Sequence, residues 1–268
     1  MKRIVSFMIL AMCLVFPGCD IWEDRSACPK ILAVDCSLLE GKALNADIWV
    51  FSQDGSLLSR SGISEHEFYK EQVYYVQEGT YKCFVWANLG SGTVTSDINS
   101  LSGKLFKAAS SDADPLFAFK KEVVCHKDSV FVRVVPRKMF IDVYVTFKGL
   151  KANESASARL KSSYGGFSLG GECLEQECSV EAEGNPLIHL RMLRPGSLEG
   201  IMLYASCIKN GSDKLDSEFE LGTYLIQNNY DLSSDDLKDI YITVDVAKMK
   251  TVIGAYPLDF LPPVEIRY

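Results

Sequence analysis

Residues 72–87 read QVYYVQEGTYKCFVWA. β-Branched and aromatic residues fill the stretch and Glu78-Gly79 breaks it, so it reads as two strands around a turn. In the second strand Tyr81, Cys83 and Val85 share one face, and Phe84 and Trp86 share the other, because successive side chains point to opposite sides. A strand that is half in water carries polar residues on its wet face. Large apolar residues on both faces predict an interior strand with packing on each side. Cys83 is there as a small buried hydrophobe.

The same signals recur outward from this stretch. Residues 30–37 (KILAVDCS) and 46–51 (ADIWVF) are strands, and Gln53-Asp54-Gly55 turns the chain into 56–60, since Asp-Gly supplies the positive φ of a tight hairpin. Trp49 and Trp86 alternate within strands and belong to the core. Residues 88–105, rich in Ser, Thr, Gly and Asn, read as a loop or a short helix. Strands follow at 115–119, 122–125 and 129–135, the last two around a polar turn at 126–128.

Pro136 marks a junction. At 139–147 (MFIDVYVTF) a clean alternation restarts, with Ile141, Val143 and Val145 opposite Asp142, Tyr144 and Thr146. Further strands are expected near 166–169, 187–193, 201–208, 219–226 and 239–246. The one helical start is Leu232-Ser233-Ser234, a capping serine leading Asp235-Asp236-Leu237. Many short strands at about 8–12-residue spacing predict an all-β chain with a pair of sandwiches.

The N-terminus reads MKRIVSFMILAMCLVFPGCD. Lys2 and Arg3 precede an apolar run at 4–16, too short to span a bilayer, which takes roughly 20 residues. Pro17-Gly18 then leads to Cys19. A basic start, a short apolar core and a small residue before Cys form a bacterial lipoprotein signal: cleavage between Gly18 and Cys19, then lipidation of Cys19. Phe16 departs from the usual Leu of that pattern. An ordinary signal peptide cut elsewhere is the alternative. Residues 1–18 are thus a signal peptide and 19–29 a short acidic tether.

Of 268 residues, 47% are hydrophobic and 24% charged, a globular composition. Net charge is -7. Without basic runs to neutralise phosphates, nucleic acid is excluded as a partner. Nine cysteines include Cys13 in the signal and Cys19. The remaining seven cannot all pair within one chain, and no pairing is assigned, although Cys173 and Cys178 are close enough to flank a tight hairpin.

Catalytic constellations are missing. There is no H-E-x-x-H, G-x-S-x-G, P-loop or G-x-G-x-x-G. His66, His126 and His189 have no cysteine at ligand spacing, so no metal and no cofactor is assigned. Gly165-Gly166 and Gly170-Gly171 read as turns flanking a strand, not a phosphate loop. Asp235, Asp236 and Asp239 lack the spacing of a calcium loop and read as a solvated helix face. The chain is expected to be a structural or binding protein rather than an enzyme.

Several segments, in order, resemble the FimB-type fimbrial lipoproteins, the anchor-subunit family of Bacteroidales type V fimbriae. They are Cys19 with its acidic tether and Cys28-Pro29, then IWVFSQDG (48–55), EGTYKCFVWANLG (78–90, with Glu78 in place of Pro) and DPLFAF (114–119). PRKMFIDVYV (136–145), FELGTYL (219–225) and DIYITVDV (239–246) follow. The resemblance implies two tandem transthyretin-like Greek-key β-sandwich domains, over 30–135 and 136–268. It also implies a lipid-anchored position on the surface of the outer membrane, fimbrial shaft subunits as partners through strand complementation, and a host or glycan receptor reached through the fimbria. Shaft subunits of that class lose their first strand to cleavage after an Arg. Here Arg25 precedes the strand at 30–37 and Arg60 lies too far beyond it, which suits an uncut anchor. A shaft or tip (adhesin) subunit and a glycan-binding surface lipoprotein are the alternatives. The prolines at 257, 262 and 263 exclude a central strand from the last part of the tail.

Overall fold

A computed structural model describes residues 28–109, 112–209, 212–246, 250–255 and 264–266. Its strands in chain order begin with β1 (Lys30–Asp35), β2 (Asn45–Ser52), β3 (Leu57–Ser64), β4 (Gln72–Val76) and β5 (Gly79–Ala87). They continue with β6 (Thr93–Ser96), β7 (Lys104–Lys107), β8 (Phe117–Cys125), β9 (Ser129–Arg133), β10 (Arg137–Lys138), β11 (Phe140–Lys148), β12 (Glu154–Ser168) and β13 (Cys173–Gly184). After β14 (Leu187–Leu193), β15 (Met202–Lys209) and β16 (Ser212–Phe219) comes the helix α1 (Leu221–Gln227), then β17 (Ile240–Asp245), β18 (Lys250–Ala255) and β19 (Val264–Ile266). The fold is an all-β sandwich.

Sheet I has the order β4-β1-β9 and sheet II the order β10-β8-β5-β2-β3. Their facing sides share a core of Leu32, Val34, Tyr74, Val76, Val132, Ile48, Val50, Cys83 and Val85. Sheet III runs β14-β11-β17-β18-β19, and sheet IV runs β16-β15-β12-β7-β6 with β13 on the other edge of β12. Ile141, Val143 and Val145 meet Ala156, Ala158, Leu160 and Leu203 between these two sheets, and Leu221 and Leu225 of α1 join them. The second alternation thus points inward as its sequence dictates.

β5 lies in the centre of sheet II, with Tyr81, Cys83 and Val85 in one core and Phe84 and Trp86 in another. That other core is the joint between the halves. Trp49, Phe51, Phe84 and Trp86 from sheet II meet Leu105 of β7, Phe167 of β12, Leu169, Met139 and Leu193. The Trp86 indole N–H donates to the Leu169 carbonyl at 2.8 Å, and its ring packs on Phe167. The division expected at Pro136 is crossed both ways: β6 and β7 join sheet IV, and β10 pairs β8 in sheet II.

Five expectations need correction. β4 and β5 are not a hairpin: β4 pairs β1 while β5 pairs β2 and β8, so the Glu78-Gly79 link arches from one sheet to the other. The Tyr81 hydroxyl donates to the Gln77 carbonyl at 2.7 Å and braces that arch. β8 and β9 likewise lie in different sheets, and His126 in their link sits 2.9 Å from Glu78, tying the two arches together. Residues 88–105, read as loop or helix, contain β6 and the start of β7.

The other two corrections concern 219–237. Residues 219–226 hold the end of β16 and most of α1 rather than a strand, because Leu221, Tyr224 and Leu225 form a buried helical stripe. The helical start at Leu232-Ser233-Ser234 is a turn: the Asp231 carboxylate accepts from the Ser233 N–H at 2.8 Å, which competes with helix. The tail strand β19 is at the edge of sheet III, as the nearby prolines require.

Candidate functional site

β1 is the strand next to the tether, and its setting decides whether it can leave. It pairs antiparallel with β4 from Lys30↔Val76 to Val34↔Gln72, and parallel with β9 from Ile31↔Ser129 to Asp35↔Arg133. Both of its edges are therefore used. Leu32 and Val34 are fully buried, and each such side chain contributes roughly 1.5–3 kcal/mol. The ends are pinned as well. Ile31 N–H donates to Asp128 O, and Val134 N–H donates to Asp35 O, each at 2.9 Å. The buried Lys30 ammonium lies 3.4 Å from Asp128. Burial works against the Asp35 charge, but the Ser37 N–H, the Ser37 hydroxyl and Arg133 outweigh it and hold the carboxyl below its usual value.

The outer face of sheet I is apolar near the tether. Tyr75 stands beside Ile31, and Val73 and Phe131 flank Ala33. Tyr75 is 75% exposed, Phe131 64% and Val73 46%. The next row is charged, with Arg133 at 3.7 Å from Asp35. Sequence reasoning missed this face, although the alternation in QVYYV and SVFVR already forces Tyr75 and Phe131 opposite the inward Tyr74 and Val132.

Gly18 and Cys19 lie outside the described residues. Among the described cysteines, Cys28 is exposed while Cys36, Cys83 and Cys125 are buried. Cys173 and Cys178 lie on one strand, β13, and do not flank a hairpin; their thiols donate to Arg194 O and Tyr164 O. Burial pushes the Cys36 and Cys83 thiols up to about 12. Thiolate is the reactive form, so brief iodoacetamide treatment at pH 8 should modify Cys28 and spare Cys36 and Cys83 until denaturant is added. Native-state labelling of either buried thiol at the rate of Cys28 would contradict this packing.

The other polar candidates resolve into structural roles. His189 is 2.6 Å from Asp142, which also accepts from Arg191 at 2.8 Å, and the His189 ring stacks on Tyr144. Asp235 and Asp239 are not on a helix: they sit 3.5 Å from Arg137 and 2.7 Å from Lys138, across the junction. Gly165 and Gly166 are inside β12, not in a turn, and a Cβ on Gly166 would lie 2.6 Å from Leu105 O of β7. No group of His, Cys, Asp and Glu among the described residues could hold a metal ion. A cleft of about 560 Å³ is lined by Lys82, Phe84, Leu101, Lys120 and Glu172, where Lys120 and Glu172 pair at 2.6 Å.

Residues 37–168 match the family of fimbrillin-A associated anchor proteins Mfa1 and Mfa2. That match takes in just under half of the chain and supports a fimbrial anchor-type family. It supports a fimbrial role. The matched segment begins just after β1 and ends with β12, so it contains sheet II and most of the joint, though not Leu169 and Leu193.

Solved structures share the fold at low identity. The fimbrial anchor protein Mfa2 from Porphyromonas gingivalis is 13% identical, with a TM-score of 0.59 over 85% of this chain and 98% of that one. A candidate polysaccharide-binding protein from Bacteroides thetaiotaomicron is 11% identical, with a TM-score of 0.68 over 90% and 98%. A candidate adhesin from Bacteroides ovatus is 11% identical, with a TM-score of 0.64 over 90% and 96%. No curated protein matches the sequence.

Proposed function

We propose that this chain is a non-enzymatic lipoprotein of the outer membrane that anchors or terminates a fimbria at the cell surface, with its lipid on Cys19. In this reading it holds shaft subunits by strand complementation, and its two sandwiches divide near Pro136. The observation that carries the proposal is the place of β1. It fills the middle of sheet I, pinned at both ends, and only ten residues separate it from Cys19. Removing β1 would leave the facing edges of β4 and β9 unpaired over a bare core, the kind of groove that a neighbour's strand fills. A chain that keeps β1 and its upstream segment keeps its attachment to the lipid. Stable anchoring takes more than one acyl chain, which full lipidation of Cys19 supplies.

Cys19→Ala should shift the protein from the membrane fraction to the soluble fraction almost completely. Unchanged membrane retention would refute lipid anchoring. Mass spectrometry of the surface protein separates anchor from shaft: an acylated Cys19 at the mature N-terminus is expected, and a mature chain starting after Arg25 would sink the anchor reading.

A further inference from the structure

The geometry points to a membrane-contact face: the outer side of sheet I at its tether end rests on the lipid bilayer through Ile31, Val73, Tyr75 and Phe131. This builds on the lipid-anchor reading, since that reading puts a bilayer within reach. The ten residues between Cys19 and Lys30 span at most about 35 Å, and they feed directly into the central strand of this sheet.

The register places the four side chains in two adjoining rows, Tyr75–Ile31 and Val73–Ala33–Phe131. Tyr75 and Phe131, the most exposed of them, stand on opposite sides of β1. The face changes character along the sheet. Its first two rows, nearest the tether, are apolar apart from Ser129; the third carries Asp35 and Arg133. The two apolar rows lie between this pair and the exposed Glu78, His126 and Asp128 of the arches at the tether end, so the sheet meets lipid through its face and not through its edge.

Area selects lipid over a protein partner. The exposed apolar surface of these four side chains is on the order of 400 Å², about half of the ~800 Å² per partner that a stable protein interface buries. A bilayer needs no matching shape, and Tyr and Phe suit its interfacial zone. The contact is apolar and not electrostatic, since the four side chains carry no charge and the whole chain is acidic.

The test is hydroxyl-radical footprinting, read by mass spectrometry. It compares the intact protein in phosphatidylethanolamine–phosphatidylcholine vesicles with the Cys19→Ala protein in solution. Oxidation of Tyr75 and Phe131 is expected to fall about tenfold on vesicles, while Leu44 and Leu187, exposed elsewhere, keep their rates. Equal oxidation in the two states overturns the proposal, as does protection that appears only when shaft subunits are added. The same spectra report the mass of the Cys19 peptide. A lipidated chain without protection removes the contact face and leaves the anchor. An unlipidated chain protected on vesicles does the reverse.

Discussion

Replacing Trp86 with alanine should lower the unfolding free energy by about 4 kcal/mol or more, the largest loss expected from a single truncation in this chain. Truncating a buried aromatic costs roughly 3–5 kcal/mol. The Leu169 carbonyl also loses the indole N–H that it accepts at 2.8 Å. Trp86→Phe keeps most of the packing against Phe167 and loses that hydrogen bond, so a drop of about 1–2 kcal/mol is expected. Trp49 supplies the control. It is equally buried in the same core, but its indole nitrogen has no hydrogen-bond partner among the described residues. Trp49→Phe should therefore cost less than Trp86→Phe. Urea denaturation of the four proteins checks the order, and equal losses for the two Phe variants would remove the hydrogen bond from the account.

Trp86 also shows what the sequence makes legible. Its strand reads as doubly packed because both faces are large and apolar, and β5 is in fact interior. The identity of the second layer could not be read there. It comes from Leu105 in a stretch rich in Ser, Thr and Gly, and from Phe167 at the end of β12. Much of β12 alternates small residues, Ala156 and Ala158 inward against Ser155 and Ser157 outward, a contrast too faint to read as a strand. Hairpins were legible where the turn residues enforce them, as at Asp54-Gly55. Glu78-Gly79 marks a reversal equally well, but nothing local says whether the next strand pairs with the last or crosses to the opposite sheet. Residues 219–225 failed for another reason: FELGTYL fits either period, and only contact with the second core selects helix.

That contact sets the second large effect. Gly222→Ala in α1 should destabilise the protein by about 3 kcal/mol or more, although alanine is the better helix former by roughly 1 kcal/mol. A Cβ at this position would lie 1.8 Å from Leu198 O and 3.2 Å from Ile201 N, and backbone cannot step aside as a side-chain tip can. The Gly222 N–H donates to Ile201 O at 3.0 Å, so the helix is held against this loop. The measurement is again the denaturation midpoint, with Thr223→Ala, on the exposed side of the same helix, expected to change it little. A stabilised Gly222→Ala protein would mean that the helix does not approach the loop so closely.

The entry of β6 and β7 into sheet IV has a mechanical side. Tension that draws sheet II away from sheet IV must peel β7 from Gly166–Ser168 of β12, break the Trp86–Leu169 bond and wet the aromatic core between them. These elements share one seam, so none can yield far without the others. A seam built in this way gives at a threshold rather than creeping under a steady pull. The halves then stay registered through every load below the threshold.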